Sequence, residues 1–560
     1  MQKSEEDKSL SPYTGRWVAR VHGKIVAQGE TAEQATQSAR QSRPKEIPEI
    51  VYISSSETPF DLPLISSILK SLPPNRPIHM VGGAVRDILL NRTTHDLDFA
   101  VPSDGIKTAR RVSKALHGAF FPLDDENDIG RVIITNADNS RDVLDFSSYR
   151  GASLDSDLHA RDFSINAMAW DLHSRQLIDP AGGMEDLKER RIRACSKSSI
   201  VEDPVRILRA VRIAASLGFK IQRETLQLLK ESVDQLPRIS PERLRDELFR
   251  ILDGPKPSTA IQALDVLGVL PYILPEAVEL KGVNQPTPHV HDVWIHSLKA
   301  MDYLELMCKL LALDYEDRKT NDLLSGLFTL RLGRYREQFE KHFVPIPGSE
   351  RTRRSLLFFS VLYHDIAKPR KQEIENGRIR FLGHDEEGGR IAVKRAIKLR
   401  LSNAEVDRIK IIIQDHMRLI NHINRLKEDG KLPTRRAIYR FFRDTGDAGV
   451  DLCLLAMADQ RATYENEITQ ETWTACLDVV RLFLENWWEK REETISPPQL
   501  INGNDLITSM NLSPGPVVGK ILEAIREAQA MGRIDTREEA LSLAKEWLSN
   551  HVVRKNTDKK

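Results

Sequence analysis

The sequence predicts an α+β protein whose β-strands lie near the N-terminus and whose remainder is mostly helical. Short alternating segments at 16–21 and 24–27 predict strands at the start of the chain. A further apolar run, 78–81, ends at the pair Gly82-Gly83, which is typical of a strand that turns into a helix. Beyond residue 200 the apolar segments predict helices, among them 356–363.

The overall composition limits the domain count and the classes of partner. At about 150 residues per domain, 560 residues predict three or four domains. Lys and Arg number 82 against 81 Asp and Glu, which gives a net charge of +1. Because no global field draws the protein onto a polyanion, any nucleic-acid-binding surface must be a local patch.

Cysteine spacing and the absence of long apolar runs indicate a reducing, non-membrane setting. The four cysteines lie far apart and form no CxxC pair, which argues against a zinc ribbon or a disulfide framework. The polar N-terminus does not resemble a signal peptide. No apolar run approaches the roughly 20 residues that cross a bilayer. We therefore expect a cytoplasmic protein without a membrane partner.

The first 58 residues predict a small ββαβ accessory module. Residues 1–14 are expected to be disordered, and His22-Gly23 marks a hairpin turn between the first two strands. Thr31 is a candidate cap for a helix that runs to Arg40, and 50–53 predicts a third strand. No residue in this module is a candidate for chemistry, so we interpret it as an accessory or docking module.

The stretch from Gly82 to Asp98 carries the strongest chemical signal. The two glycines allow backbone N–H groups to approach an anion such as a triphosphate, which the following helix N-terminus also favours. Asp96 and Asp98 are two residues apart, so on a strand both carboxylates point to one face. Such a pair repels unless a cation, usually Mg²⁺, lies between its members. Together the two features predict nucleotidyl transfer rather than a glycine turn with solvated acids.

Further motifs follow in order and reveal a family resemblance. These motifs are GGAVRD at 82–87, DLDF at 96–99, LDFSSYRG at 144–151, ARDFSINAMA at 160–169, DPAGGMEDL at 179–187 and EDPVRILRAVRIAASLGF at 202–219. The set resembles the class II tRNA nucleotidyltransferases (CCA-adding enzymes) and bacterial poly(A) polymerases over about residues 60–290. The resemblance implies a mixed β-sheet head of the polymerase-β nucleotidyltransferase type, followed by a helical neck.

This resemblance implies roles for the head residues. An RNA 3′-OH would attack the α-phosphate of ATP or CTP and release pyrophosphate, with two Mg²⁺ ions held by Asp96 and Asp98. Asp145 matches the third catalytic carboxylate; the alternative is an ordinary strand-end Asp. The implied nucleotide-binding residues are Gly82, Gly83, Arg86, Arg161 and Asp162. The family form Arg-Arg-Asp is altered here, because Ala160 stands where the first Arg would be.

Asp203 and Arg206 are the base-reading residues that the resemblance suggests. Adenine and cytosine each present an amino donor beside a ring-nitrogen acceptor, which a carboxylate and a guanidinium match. Uracil and guanine present the reverse pattern and would leave buried groups unpaired. Spacing i, i+3 on one helix predicts that both side chains share a face, although an N-terminal helical ion pair is the alternative. Arg209 and Arg212 continue along that flank as candidates for RNA binding.

Histidines cluster after residue 286 and indicate a second chemistry. The order His…His-Asp…Asp resembles an HD-type metal phosphohydrolase, with His296, His364, Asp365 and Asp459 as metal ligands. His384 and His416 occupy positions that in some relatives join a second metal or bind phosphate. Mixed imidazole and carboxylate ligands favour a transition metal such as Ni²⁺ or Mn²⁺. The expected substrate is a phosphoester such as a 2′,3′-cyclic phosphate on a damaged tRNA end.

Cations and aromatic residues are mixed in the segment 434–443. Arg436 and Arg440 share a helical face there and are candidates for the RNA backbone, with a solvated helix surface as the alternative. The segment from 500 to 548 predicts further helices and resembles the tail of HD-containing members of the family. The basic end, 552–560, is expected to be mobile.

These observations define the predicted organisation and function. The domains are an accessory module (1–58), the head (59–198), a helical neck (199–285), an HD domain (286–465) and a helical tail (466–560). The leading hypothesis is an enzyme that adds CCA to tRNA from CTP and ATP, with a phosphohydrolase activity for end repair. The alternatives are a poly(A) polymerase, a CC-only or A-only enzyme, and a protein that is primarily an HD phosphohydrolase.

Overall fold

The computed structural model describes residues 16–21, 24–29, 32–43, 46, 48–53, 60, 62–136, 140–316, 322–349 and 351–557. The chain divides into two compact units, residues 1–199 and 200–560. The predictions for residues 1–14, for the turn His22-Gly23, for the cap Thr31 and for the final residues 558–560 lie outside the described residues. No helix in the described ranges has both the length and the apolar character needed to cross a membrane.

The N-terminal module has the predicted ββαβ order. Its elements are β1 (Arg16–Val21), β2 (Lys24–Gly29), α1 (Ala32–Ser42) and β3 (Glu49–Ile53). Strand β1 lies in the middle of the sheet and pairs antiparallel with both neighbours. Val18 and Ala19 of β1 and Ala35 and Ala39 of α1 are buried.

The remainder of the first unit contains a larger sheet and short helices. Its strands are β4 (His79–Val81), β5 (Asp96–Val101), β6 (Ala119–Asp124), β7 (Ile129–Thr135), β8 (Arg141–Ser148), β9 (Ala169–Asp171), β10 (Leu177–Ile178) and β11 (Arg191–Ile192). Its helices are α2 (Pro63–Ser71), α3 (Gly83–Leu89), α4 (Gly105–Leu116), α5 (Leu154–His159) and α6 (Gly183–Lys188), and α7 (Lys197–Glu202) follows at the boundary of the two units.

The larger sheet has seven strands in the order β10-β9-β4-β5-β8-β7-β6. Strands β5 and β8 are parallel, and the other neighbours are antiparallel, so the sheet is mixed as predicted. The centre of one face is buried, with Phe99 and Phe146 stacked at 5.0 Å between ring centroids. The opposite face carries the carboxylates of β5 and β8.

The second unit is almost entirely helical. The first helices are α8 (Arg206–Leu217), α9 (Arg223–Glu231), α10 (Pro241–Asp253), α11 (Pro257–Val266), α12 (Leu270–Ile273) and α13 (Pro275–Val278). The next are α14 (Val293–Leu310), α15 (Leu323–Leu332), α16 (Arg336–Phe343), α17 (Arg353–Tyr363), α18 (Lys368–Lys371), α19 (His384–Lys398), α20 (Asn403–Asp429), α21 (Arg435–Thr445) and α22 (Ala448–Tyr464). The last are α23 (Gln470–Trp488), α24 (Arg491–Thr494), α25 (Gly503–Met510), α26 (Pro516–Ala530) and α27 (Arg537–Thr557). Its strands β12 (Lys220–Ile221), β13 (Glu373–Glu375) and β14 (Arg378–Arg380) are short.

The last three helices form a hydrophobic cluster of their own. Its buried members are Ile501, Leu506, Val518, Ile521, Ile525, Ala540 and Ala544. The predicted helical tail is therefore present, and its last helix continues to Thr557 rather than ending near residue 548. The basic residues 552–557 belong to this helix.

A buried ion cluster connects three helices of the second unit. Asp451 on α22 is fully buried and forms an ion pair with Arg408 on α20, with its Oδ2 2.6 Å from Nη2. Its other oxygen, Oδ1, lies 2.8 Å from Nε2 of His342 on α16. Because α22 also carries Asp459, one of the predicted metal ligands, this cluster holds the helix that presents that ligand.

We expect the variant Asp451→Asn to destabilise the second unit by about 3–5 kcal/mol, because it removes the buried counter-charge of Arg408 and leaves only the partly exposed carboxylate of Asp447 beside that guanidinium. Thermal unfolding measures this loss. Asp478→Asn is the control, since it removes a partly exposed ion pair with Arg331 and should cost about 0–1 kcal/mol. Equal losses in the two variants would contradict the assigned role of burial.

The loss in Asp451→Asn should also depend on pH. Burial raises the pKa of the Asp451 carboxyl, but Arg408 and His342 outweigh burial and lower this pKa below its ordinary value of 3.8. A lowered folded-state pKa stabilises the protein fully above the unfolded-state pKa and progressively less at lower pH. The difference in melting temperature between wild type and variant should therefore be complete above pH ~4 and shrink below it.

Candidate active sites

Strand register brings the head carboxylates together. Asp98 on β5 is directly paired with Asp145 on the parallel strand β8, and both point to the same face. Asp96 lies two residues before Asp98 on that face, at the exposed start of β5. The structure thus places all three predicted catalytic carboxylates side by side.

The charge of this cluster perturbs Asp98. Desolvation raises the pKa of Asp98 to about 6, with Arg161 opposing the shift and Asp145 and Asp96 adding to it. Three adjacent carboxylates, one of them costly to ionise, form a donor set of the kind that a divalent cation stabilises. The residues present therefore fit the predicted magnesium site.

Asp145 also has a cationic partner that the sequence analysis missed. Arg131 on the neighbouring strand β7 donates to both of its carboxylate oxygens, from Nε and Nη2, each at 2.8 Å. The two residues are register partners, so their side chains leave the sheet on the same face. The LDF motif identified the acid, but the arginine could be found only from the pairing of β7 with β8.

The glycine turn is confined by the same cluster. Gly82 has φ of +73°, and a Cβ there would lie 3.0 Å from Nη1 of Arg161 and 3.2 Å from Oδ2 of Asp98. Gly83 has no positive φ and begins α3. Arg86 on that helix is held by Asp87 through two hydrogen bonds of 3.0 and 2.8 Å and by Oδ1 of Asn166 at 2.6 Å.

Arg161 and Asp162 are anchored before any ligand arrives. Arg161 donates to Oδ2 of Asp157 from Nε at 3.1 Å and from Nη2 at 2.9 Å, which keeps its remaining nitrogen near Gly82. Asp162 is buried and accepts from the backbone of Phe163 at 2.7 Å and from Nδ2 of Asn166 at 3.0 Å. The ribose and phosphate contacts of these two residues stay predictions.

A cavity of about 410 Å³ opens beside the acids. Its walls include Asp98, Asp145 and Arg161, together with the segment 123–129 from the hairpin between β6 and β7. A volume of this size is typical of a site for a small ligand.

Asp203 and Arg206 belong to the second unit, and the expectation that they share a helix is wrong. Helix α7 ends at Glu202 and α8 begins at Arg206, because Pro204 lacks the N–H that a continuous helix needs. The two side chains are nevertheless close, with Nε of Arg206 3.8 Å from Oδ2 of Asp203. That oxygen also accepts from Arg243 at 2.7 Å, whereas Oδ1 of Asp203 is buried without a hydrogen bond.

The predicted RNA-binding arginines each have an intramolecular partner. Nε of Arg209 and Nε of Arg212 lie 3.1 and 2.7 Å from the two carboxylate oxygens of the buried Glu247. Arg436 and Arg440 on α21 both donate to Glu527 on α26. These contacts give all four arginines a structural role, and their binding of RNA stays a prediction.

Six residues of the second unit form a buried cluster of metal-ligand type. One group consists of His296, His364 and Asp459, and the other of Asp365, His384 and His416. Within each group the candidate ligand atoms lie within 4.8 Å of one another. The structure thus brings together all six residues that the sequence predicted, in two adjacent groups of three.

Backbone carbonyl groups orient three of these histidines. Nδ1 of His364, of His384 and of His416 each lies 2.7 Å from a carbonyl oxygen three residues earlier in the chain. Since Nδ1 donates in each case, Nε2 is the nitrogen that faces the cluster, and in the neutral imidazole it carries the lone pair that a metal needs. Anchoring of the second ring nitrogen in this way is typical of histidines that bind metal.

The charges of the cluster are poorly satisfied by protein groups alone. Burial opposes protonation of His364, but Asp365 and Asp459 outweigh it and raise the pKa of His364 to about 10. Burial and the neighbouring imidazoles of His364 and His384 lower the pKa of His416 to about 4. Nε2 of His296 lies 2.8 Å from Oδ1 of Asp459, and Nε2 of His364 lies 3.2 Å from Oδ2 of Asp365. A divalent cation held between these buried imidazoles and carboxylates would compensate their charges, so the residues present fit a metal centre.

Two neighbours of the cluster were missed in the sequence analysis. Nζ of Lys368 lies 2.6 Å from Oδ2 of Asp365, one turn later in the chain, and 2.6 Å from Oε1 of Gln285. His289 packs edge-on against His296 at 5.2 Å between ring centroids. The spacing of Asp365 and Lys368 was a usable signal, whereas the loop that carries His289 has no periodic pattern.

Family models match successive parts of the chain. They are "Poly A polymerase head domain" at 78–193, "Probable RNA and SrmB- binding site of polymerase A" at 218–280, "HD domain" at 293–448 and "tRNA nucleotidyltransferase domain 2" at 490–544. A "Family of unknown function" model matches 8–56, in the N-terminal module.

Two relatives align along most of the chain. An A-adding tRNA nucleotidyltransferase of Deinococcus radiodurans is 30% identical over 487 residues, which are 85% of this chain and 97% of that protein. A CC-adding tRNA nucleotidyltransferase of Thermus thermophilus is 31% identical over 474 residues, which are 83% of this chain and 93% of that protein.

The fold is also similar to that of a solved enzyme. The structure of a CCA-adding enzyme with ATP superposes with a TM-score of 0.53 at 22% identity, covering 87% of this chain and 95% of that chain. At this identity the likeness concerns the fold alone, and it confirms the predicted fold class.

We expect Gly82→Ala to weaken binding of a nucleoside triphosphate about tenfold, measured by isothermal titration calorimetry. The new methyl group forces a left-handed backbone at a cost of about 1–2 kcal/mol and presses on Arg161 and Asp98. Gly83→Ala is the matched control, because its Cβ would meet only the end of the Arg86 side chain, at 3.4 Å. Equal weakening in both variants would show that backbone strain at Gly82 is not the cause.

Proposed function

Because the chain belongs to the tRNA nucleotidyltransferase family, we propose that it adds C and A from CTP and ATP to the 3′ ends of tRNA. The observation that carries this proposal is the register of Asp98 with Asp145, beside Asp96 and the glycine turn. The Deinococcus relative is A-adding and the Thermus relative is CC-adding, so addition of A alone or of C alone are the alternatives.

In this proposal the head residues bind and orient the reactants. The oxygen of the RNA 3′-OH forms a bond to the α-phosphorus, the bond from that phosphorus to the pyrophosphate oxygen breaks, and the hydroxyl proton leaves. Asp96 and Asp98 would hold divalent cations, which lower the pKa of the hydroxyl and neutralise charge on the triphosphate. Asp145 lies where it can accept the proton, while Arg131 keeps its carboxylate on this face.

The turn at Gly82 and the side chain of Arg161 would contact the triphosphate. Arg161 brings a nitrogen to within 3.0 Å of the Cβ position at Gly82, so a phosphate bound against this turn would lie next to the guanidinium of Arg161. Asp162, held by Asn166, would accept a ribose hydroxyl. Each contact is already oriented, which reduces the entropy lost when the nucleotide binds.

Asp203 and Arg206 would select the base. The buried oxygen Oδ1 of Asp203 lacks a hydrogen bond and suits the amino group of cytosine or adenine. The neighbouring guanidinium suits the ring nitrogen acceptor of the same bases. A base with the reverse pattern would leave this buried oxygen facing another acceptor, which disfavours UTP and GTP.

The decisive experiment offers the purified protein three tRNAs that end before CCA, at C and at CC, each with ATP, CTP or both. We expect two C and then one A. Only C or only A would identify a narrower enzyme, and a long A ladder on any RNA would identify a poly(A) polymerase. Asp96→Ala should abolish all addition, because the acid pair is lost.

The control for the Asp96→Ala variant is Asp155→Ala, which removes an exposed carboxylate on α5 and should leave addition unchanged. Addition that survives in Asp96→Ala would overturn the assignment of the acids.

We further infer that the buried histidine cluster is a divalent metal centre for phosphoester hydrolysis, because each of its two groups holds three imidazole or carboxylate ligand atoms within 4.8 Å of one another. Its mixed imidazole and carboxylate donors favour Ni²⁺ or Mn²⁺ over Mg²⁺. The bound metal would supply a nucleophilic water and polarise the phosphoryl group. Lys368 holds Asp365 through a 2.6 Å ion pair and supplies positive charge beside the site.

Asp365→Ala should abolish both metal binding and hydrolysis of an RNA 2′,3′-cyclic phosphate, because this carboxylate lies within 4 Å of four of the histidines. Metal content by mass spectrometry and product release with Ni²⁺, Mn²⁺ or Mg²⁺ measure the two losses. Asp385→Asn is the control, since Asp385 belongs to neither ligand group. Nucleotide addition should persist in Asp365→Ala, and hydrolysis should persist in Asp96→Ala.

A further inference from the structure

One in-register row of side chains crosses the active face of the head sheet. It runs from Val81 on β4 through Asp98, Asp145 and Arg131 to Phe121 on β6. The glycine turn that suits a triphosphate follows Val81, so the pyrophosphate belongs at the β4 end of this row. In-line displacement requires the attacking oxygen to approach from the opposite side of the α-phosphorus. The RNA 3′ end must therefore approach from the side of β8, β7 and β6.

On that side the sheet ends in an exposed apolar edge. Phe121 is 49% exposed and Leu123 is 50% exposed, although both are large apolar residues. The neighbouring strand β7 packs closely on α4, since a Cβ on Gly130 would lie 2.6 Å from Ala109. The hydrophobic effect explains this packing but not the exposure of Phe121 and Leu123.

This edge is continuous with the active-site cavity. Leu123 lines the same cavity as Asp98 and Asp145, and Arg150 lies in its wall. Phe121 is the register partner of Arg131, whose guanidinium binds Asp145. An aromatic ring and arginines at one site match a nucleotide, because a base stacks on the ring and its phosphate pairs with the cations.

We propose that β6 is the platform for the terminal nucleotide of the RNA primer, with the base stacked on Phe121 and in contact with Leu123. The proposal rests on the proposed nucleotidyltransferase function and assigns the primer side of its site. Stacking recognises the π-face that every base shares, so the platform would accept different 3′-terminal bases. It would hold the 3′-OH next to Asp145.

A protein strand fits this edge less well than a nucleotide. Pro122 has no N–H to donate to an added strand, and the register of β6 with β7 shifts between Pro122 and Asp124. Both features are typical of edge strands that resist pairing with another chain. Pairing of β6 with a second copy of this chain is therefore the alternative that the experiment must distinguish from RNA binding.

The test measures steady-state nucleotide addition by wild type, Phe121→Ala and Phe121→Trp with tRNA that lacks CCA. We expect Phe121→Ala to raise KM for tRNA about tenfold, equivalent to about 1.4 kcal/mol, with KM for CTP unchanged. Phe121→Trp should retain wild-type KM, because it keeps an aromatic face. Leu330→Ala is the control, since it removes a 78% exposed apolar side chain from α15 of the second unit, outside the segment 218–280.

A primer that ends in an abasic nucleotide isolates the stacking contact. Wild type should bind it about tenfold more weakly than the intact primer, and Phe121→Ala should cause no further loss. The platform proposal would be overturned if Phe121→Ala left KM for tRNA unchanged. It would also be overturned if Phe121→Ala weakened binding of the intact primer and of the abasic primer equally. Sedimentation of wild type and Phe121→Ala tests the alternative of self-association. A dimer that forms in wild type but not in Phe121→Ala would assign β6 to contact with a second copy. If wild type adds no nucleotide at all, the proposed function fails rather than the platform.

Discussion

The mutual repulsion of carboxylates on one face of the head sheet is the constraint around which the first unit is arranged. Parallel pairing of β5 with β8 places Asp98 directly beside Asp145, and the two-residue period of β5 adds Asp96. Two arginines partly compensate this charge: Arg131 pairs with Asp145, and Arg161 opposes the raised pKa of Asp98. The remaining negative charge gives the face its affinity for divalent cations.

In the second unit, charged side chains are again held close together, but here they are imidazoles and carboxylates. Its ligand cluster is deeply buried, so desolvation makes each uncompensated charge more costly than on the open sheet. Carbonyl oxygens orient the imidazoles of three histidines, and Lys368 compensates Asp365. Asp451 anchors α22 through buried partners on two other helices, so the predicted metal ligand Asp459 depends on an ion cluster eight residues away in sequence.

Several residues that the sequence predicted to bind RNA or a base have intramolecular partners in the structure. Arg209 and Arg212 both pair with Glu247, and Arg436 and Arg440 both pair with Glu527. Sequence spacing placed these cations on common helix faces but could not reveal the acids that meet them from distant helices. Asp203 is the clearest correction, since Pro204 interrupts the helix that the i, i+3 spacing suggested, yet the pair with Arg206 persists across the turn.

The sequence by itself determined the α+β class and predicted the carboxylates and histidines of both candidate sites, because glycine turns, strand alternation and His-Asp pairs are local signals. The family resemblance then supplied the order of the motifs. Only the tertiary structure decided that Arg131 and Phe121 lie in the row of Asp98 and Asp145, and that His289 and Lys368 adjoin the buried histidine cluster. The physical reason is that strand register and helix packing join residues that are far apart in sequence, so no periodicity within one segment can reveal them.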